Sequence, residues 1–368
     1  MNKIINSEIA ISYSQCPRKA FLLYCTNERG TPNEYMEIIR KQQADHKDQY
    51  IAVLKQNNNE LQLYSNENLK RGKNILINAT LHANCFEVTC DILEKVKTFS
   101  DLGGFSYEPT IFTGTHTTNK EQKLELYFVS RVLEQIQGKM PAFGTIIDLN
   151  NESHKFKMGN NTKALASILS PLQEWNRSPS LESPPIILNK HCAYCQFQGL
   201  CKTEAERTHN LSLLKGVTRK IMKKYEKKGV FTVQQLSYLF RPRRHKKRIK
   251  KSATHSLELQ ALAIRTQKIY LQELPEILRQ PVELFLDIEG VPDQDIYYLM
   301  GLLLWDSGKC KDCFFWADTI QEESKIWQQL LEEINKYPEA PIYHYGSYES
   351  KAIDKLGKRY KTDVENLK

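Results

Sequence analysis

The sequence lacks long apolar runs. No stretch of about 18 apolar residues occurs among its 368, so no helical membrane span is expected. The N-terminus, MNKIINSEIAISYSQC, has no apolar core of about 7–15 residues ahead of a small-residue cleavage site. A secretory leader is therefore not expected, and the chain is read as cytoplasmic. No internal repeat is visible, and low complexity is confined to one basic run. Cysteines number nine, an odd count and a high one for a chain without a leader. That argues against a disulfide framework and for metal or cluster ligation. Hydrophobic residues at 40% and charged residues at 26% exclude global disorder, and the length predicts two or three domains.

Acidic residues are nearly absent from one segment. Between Arg207 and Lys251, 16 Lys and Arg meet a single acid, Glu226, for a local charge of +15. The total is +9, so the rest of the chain sums to −6. Such a block neutralises phosphates and releases their counterions, the main source of sequence-independent nucleic-acid binding. Its pattern predicts a turn at Gly216, a helix over Thr218–Lys227, a turn at Gly229 and a helix over Thr232–Leu239, with Thr232 as N-cap. Val217, Ile221, Tyr225 and Val230 would face a small core. This resembles a helix-hairpin-helix module. The resemblance implies backbone and side-chain contacts to phosphates around Gly216, Arg219, Lys220 and Lys223. RPRRHKKRIKK, from Arg241 to Lys251, follows as an exposed basic linker, with Arg241, Arg243 and Arg244 as further phosphate contacts.

The residues before the block read as mixed α/β. Strands are predicted at Ile75–Thr80, Cys85–Val96, Phe105–Phe112, Phe143–Asp148 and Ser153–Lys157. Helices are predicted at Lys123–Gln137, where Leu124, Phe128, Val132 and Ile136 recur every four residues, and at Asn161–Trp175. After the block, Glu258–Ile277 reads as a helix. Strands follow at Val282–Glu289, Ile296–Trp305 and Lys311–Trp316, then a helix Glu322–Tyr337, a strand Pro341–Tyr345 and a helix Ser347–Leu356.

HCAYCQFQGLC sets Cys192, Cys195 and Cys201 at C-x2-C-x5-C, and SQCPRKAFLL adds Cys16. Thiolates across a two-residue gap grip one metal centre. On spacing alone, a four-cysteine zinc site and an iron–sulfur cluster are equally good readings. Cys25, Cys85 and Cys90 lie in apolar contexts and read as core residues. Cys310 and Cys313 form a C-x2-C with no second pair nearby, in a strand hairpin that favours packing over ligation.

ISYSQCPRKAFLL with LNKHCAYCQFQGLC about 175 residues later resembles the iron–sulfur family of RecB-like nucleases. That family includes AddB-type nucleases and CRISPR-associated RecB-like exonucleases. The resemblance implies a 4Fe-4S cluster on Cys16, Cys192, Cys195 and Cys201 that staples the ends of the nuclease domain. It also implies a PD-(D/E)xK core, in which acids hold Mg2+ or Mn2+ and a lysine orients water. The matching residues are Asp91 in FEVTCDILEKV, Glu108 in FSYEPTIF and, ahead of the core, His46 in QQADHKDQY. GKMPAFGTIID and PPIILNKHC match the flanking blocks. One residue departs from the pattern: the lysine position two after Glu108 holds Thr110. Lys123 or Lys120, at the start of the next helix, is expected to supply the ammonium.

PVELFLDIEG places Asp287 and Glu289 on one face of an apolar strand. This resembles the first motif of DEDD-type exonucleases with a ribonuclease H-like fold, and PIYHYGSYESKAIDKL resembles the second. Glu349 then stands where the family has Asp. Residues 281–368 are fewer than such a domain usually needs, and a third motif is missing. The expectation is an incomplete centre, completed by a further C-terminal part or a second polypeptide.

The reading is an α/β multidomain chain. It has a restriction-endonuclease-like α/β core with an iron–sulfur staple at 1–205 and a basic helix-hairpin-helix-like bridge at 206–255. A helical linker at 256–280 and a partial ribonuclease H-like α/β domain at 281–368 complete it. The function read from this is a metal-dependent DNA nuclease, an exonuclease of the RecB-like type in DNA processing, repair or defence. Its partner would be DNA through backbone contacts, with RNA as the alternative and no membrane. The other reading is a catalytically inactive or weak nucleic-acid-binding protein that uses the stapled fold as a DNA clamp.

Overall fold

The computed structural model describes residues 3–367 apart from 27, 58–59, 160–161, 178–181, 242–255, 272–276 and 278. The chain divides into two compact units, Met1–Tyr270 and Leu271–Lys368. The basic bridge and the start of the helical linker therefore fall within the first unit.

The first unit opens with helices α1 (Ser7–Gln15), α2 (Pro17–Cys25) and α3 (Glu34–Asn57). Strand β1 (Leu61–Leu63), a short α4 (Asn66–Lys70), and strands β2 (Ile75–Ala83), β3 (Phe86–Val96) and β4 (Ser106–Phe112) follow. Next come α5 (Lys120–Gln137), β5 (Phe143–Ile147), β6 (Ser153–Lys157) and α6 (Thr162–Arg177). The six strands lie side by side in chain order. β1 with β2 and β4 with β5 are parallel, and the other neighbours are antiparallel.

Each face of the sheet buries its own core. One carries α1, α2, α5 and α6, with Ile9, Ala20, Phe128, Val132 and Leu169 packed on Leu76, Cys90 and Ile111. The other carries α3, with Ile51 on Ile77, Ile92, Phe112 and Ile147. α5 forms where the period of its apolar residues predicts. An Asn119–Gln122 capping box starts it and Gly138, at φ 69, ends it. A Cβ on Gly138 would fall on the Asp101 carboxylate, so the glycine is needed for space as well as conformation.

Helices α7 (Gln198–Arg207), α8 (Arg219–Glu226), α9 (Val233–Ser237) and α10 (Leu257–Thr266) complete the unit. Thr218 and Thr232 cap α8 and α9, and Gly216 and Gly229 both have positive φ. Val217, Met222, Val230, Val233, Leu236 and Ala261 form a small separate core, flanked by Ile221 and Tyr225. The helix expected over Glu258–Ile277 is shorter than its periodicity suggests. Gln267 turns left-handed at φ 53, and the chain leaves the helix there. Residues 272–276 of that expected helix lie outside the described residues.

In the second unit, β7 (Val282–Val291), β8 (Ile296–Asp306) and β9 (Lys309–Trp316) form an antiparallel meander. Then come α11 (Ile320–Ile334), β10 (Ile342–Tyr343) and α12 (Tyr348–Tyr360). β10 returns to lie parallel to β7, giving the order β10-β7-β8-β9. Both helices cover one face, with Trp327, Leu330, Ile353 and Leu356 packed on Leu284, Leu286 and Ile288. Glu323 is fully buried and paired with Arg359, Tyr360 and the Tyr297 amide, which ties α11, α12 and β8 together.

Candidate functional site

The four cysteines at ligand spacing meet. Cys16 sits between α1 and α2, Cys192 lies within a 3-10 turn (Lys190–Tyr194) that Cys195 caps at its C-terminal end, and Cys201 lies on α7. All four line one cavity with Ile186, Leu188 and Phe197. Asn189 joins the two cysteine-bearing segments: its side chain donates to the Gln15 carbonyl at 3.3 Å, and its amide donates to Cys192 Sγ at 3.3 Å. Burial pushes the Cys192 thiol up, and the neighbouring Cys16 and Cys195 add to this. Burial also raises Cys201, against the opposing Arg18. Of the other cysteines, Cys90 is buried, and Cys25 and Cys85 pack against the main core. Cys310 and Cys313 are three apart on a strand and so point to opposite faces. Cys313 packs against the second unit's core, and Cys310 is exposed.

Asp91 and Glu108 lie on adjacent strands but do not face each other. Glu94 stands across from Glu108 in the register. The β3–β4 ladder ends at the Ile92–Thr110 pair, and the Asp91 carboxylate takes the Phe112 amide at 2.9 Å. Its other oxygen meets Lys47 of α3 at 2.8 Å. The strand alternation breaks here. Cys90 and Leu93 both face the α5 side, while Ile92 faces α3. On β2 the matching position is Asn78, skipped in the pairing and held at φ 54. A local kink in both strands thus re-aims the carboxylate.

Glu108 takes the Phe143 amide at 3.2 Å and Lys155 at 3.6 Å. Burial first, and the charge of Glu108 second, raise the Glu94 carboxyl above its usual range, against the pull of Lys155. Lys123 does not reach this group. Its ammonium stands 4.7 Å from the ring of Phe156, which packs on the α5 side, the face opposite Glu108. Lys120 opens α5 and is exposed. Thr110 is buried. His46 stacks on Phe112 and pairs with Asn151 at 3.0 Å, so the contact to Asp91 comes from its neighbour Lys47.

Sequence reasoning missed Lys47, Lys155 and Glu125. Glu125 lies on α5, and burial with the charge of Asp91 pushes its carboxyl up to about 7. A signal existed for Glu125: it sits three and four residues before Phe128 and Val129, on the stripe that is otherwise apolar. Lys155 had none, because only the strand order brings β6 within reach of β4.

The β5–β6 turn gathers Asp148, Glu152 and His154, whose ligand atoms lie within 4.8 Å of one another. His154 pairs with Asp148 at 2.8 Å, and the amides of Asn150 and Glu152 donate to the other oxygen. Burial alone would raise the Asp148 carboxyl. The hydrogen bonds from His154 and the two amides outweigh it and hold the group below its usual range. These partners give the triad a turn-holding role.

In the second unit, Asp287 and Glu289 are exposed on one face of β7, the face that neither helix covers. A register shift follows Glu289 at Gly290. There a Cβ would meet the Ile296 carbonyl at 2.7 Å and the Tyr348 hydroxyl at 3.0 Å. Glu349, in the first turn of α12, is buried. One of its oxygens has no hydrogen bond, and His344 stands 3.5 Å from it. Burial chiefly raises the Tyr348 hydroxyl, with Tyr297, Glu289 and Glu349 adding charge, so both acids act on one small region.

On α8, Arg219, Lys220 and Lys223 are exposed, as are Gly216 and Arg241. Arg243 and Arg244 lie outside the described residues. No helix among the described residues is long and apolar enough to cross a membrane. No curated protein matches the chain. A family model described as the RNase_H superfamily matches residues 284–367, which span Asp287, Glu289 and Glu349 and give this domain a nuclease-type character.

Proposed function

We propose that the chain is a metal-dependent nuclease acting on DNA, with its hydrolytic centre on Asp287, Glu289 and Glu349. The observation that carries this reading is the exposed Asp287–Glu289 pair on β7 inside the matched region, with a buried, incompletely bonded Glu349 on α12. A divalent cation, Mg2+ or Mn2+, would supply a water of lowered pKa and offset charge on the phosphate. Asp287 and Glu289 would hold it from one side of the strand. Glu349 has an oxygen without a hydrogen bond, 3.5 Å from His344, to turn toward it, and the Tyr348 hydroxyl, on which Glu289 and Glu349 both act, can donate to a phosphate oxygen. The exposed cations of α8 would hold the backbone without reading bases.

The same reading makes residues 1–205 a RecB-like PD-(D/E)xK domain stapled by a 4Fe-4S cluster on Cys16, Cys192, Cys195 and Cys201. The donor set fits, with four thiols on one largely apolar cavity. Among the described residues, no three of the thiol sulfurs lie within 4.8 Å of one another. A specific observation favours the clamp reading for this domain's acidic centre. Asp91 and Glu108 each have a lysine and an amide of their own, and they do not face each other.

Degradation of single- and double-stranded DNA with Mg2+ or Mn2+ tests both parts. Asp287→Ala should lower the rate by at least about 100-fold, the scale expected when a metal ligand is lost. Asp91→Ala should leave most of it. Loss of activity in Asp91→Ala alone would move catalysis to the first unit. A wild-type protein that binds DNA in a salt-sensitive way but never cuts it would leave only the clamp.

A further inference from the structure

The cysteine cavity has a cation in its wall. Arg18 lies two residues after Cys16, in the first turn of α2, and lines the cavity with the four cysteines. Its Nη1 is anchored from outside by the Ser183 hydroxyl at 3.0 Å and the Pro184 carbonyl at 3.1 Å. Its Nε is buried and has no partner. On the cavity side the guanidinium's charge opposes the burial that raises the Cys201 thiol. A buried donor without a partner is costly, so its retention calls for an acceptor. Four thiolates around a dipositive ion or cluster core leave net negative charge in an apolar cavity. A guanidinium fixed at the wall opposes that charge with both its field and its N–H groups.

We propose that Arg18 is a positioning residue and counter-charge of the four-cysteine centre, offering its unpartnered N–H to the centre's sulfurs and setting the reduction potential of the bound cluster. The inference rests on the iron–sulfur reading of that centre. Hydrogen bonds to cluster sulfurs and nearby charge are among the levers that set such potentials. A positive neighbour favours the more negative, reduced state, so its removal shifts the potential downward.

The test is a redox titration of the full chain, reconstituted anaerobically with iron and sulfide and followed by visible absorbance. Arg18→Gln should give a more negative midpoint potential than wild type and faster loss of iron to a chelator. Arg18→Lys keeps the charge but loses the fork, so its potential should fall between the two. Should Arg18→Gln hold no cluster, Arg18→Lys decides: a shift to a more negative potential supports the role. A brown wild type with unchanged potentials in the variants overturns the inference about Arg18 and leaves the cluster standing. A wild type that takes up no cluster overturns both, and that result differs from the first by its colour.

Discussion

Replacing Glu125 with Gln removes the most strongly displaced carboxylate among the described residues of the first unit. Burial, with the charge of Asp91, moves it from 4.5 to about 7. Below pH 4.5 the group is protonated in the folded and the unfolded chain, and it costs nothing. As pH rises, the unfolded chain releases this proton first, so the folded state loses stability. The loss ends once the folded group ionises, near pH 7. At about 1.4 kcal/mol per pKa unit, the full effect is on the order of 3 kcal/mol. Glu125→Gln removes the titration. In urea denaturation followed by circular dichroism, it should match wild type near pH 4.5 and exceed it by up to about 3 kcal/mol at about pH 8. A difference that stays flat across this range would refute the burial argument. The same series with Mg2+ tests the neighbourhood of Asp91. A cation held by both carboxylates would favour ionised Glu125 and narrow the gap at high pH. A gap indifferent to the cation would leave Glu125 without a ligand role.

Trp327→Ala should cost the second unit about 3–5 kcal/mol, measured by chemical denaturation. The side chain is fully buried between helix and sheet, and its indole N–H donates to Thr362 at 3.0 Å. Asn119→Ala should cost about 1 kcal/mol by removing half of the α5 capping box, with Asn119→Ser close to wild type. Combined substitution of Arg219, Lys220 and Lys223 by Ala should weaken duplex binding alike for unrelated sequences. The salt slope of log K should flatten by up to about 3, close to 0.9 for each phosphate no longer neutralised.

Much of the local structure was legible because it is encoded locally. The four-residue spacing from Leu124 to Ile136 marked α5, and alternation with turn residues marked β2 to β6. Thr232 announced its own N-cap. The cysteines were legible because a two-residue gap has chemical meaning wherever the ends meet. Asp287-x-Glu289 was legible because residues two apart on a strand share a face in any register. The weak points were also local in origin. The apolar pattern of Glu258–Ile277 continues past Gln267, but a left-handed residue ends the helix there. Glu125 was passed over although it sits on the apolar stripe of α5, because a charged residue there reads as the stripe's polar border.

The sequence by itself determined the elements, the thiolate spacing, the basic segment and the acidic pair of β7, since each depends on residues close along the chain. Tertiary structure decided which groups meet. Strand order gave Glu108 to Lys155 and left Lys123 over Phe156 on the far face. The kink at Asn78 and Asp91 turned a strand carboxylate toward α3, where Lys47 received it. The return of β10 beside β7 led into α12, where Glu289 and Glu349 both act on Tyr348. Such meetings depend on pairings between distant segments. Periodicity records which face a residue occupies, but carries no information on which partner that face will find.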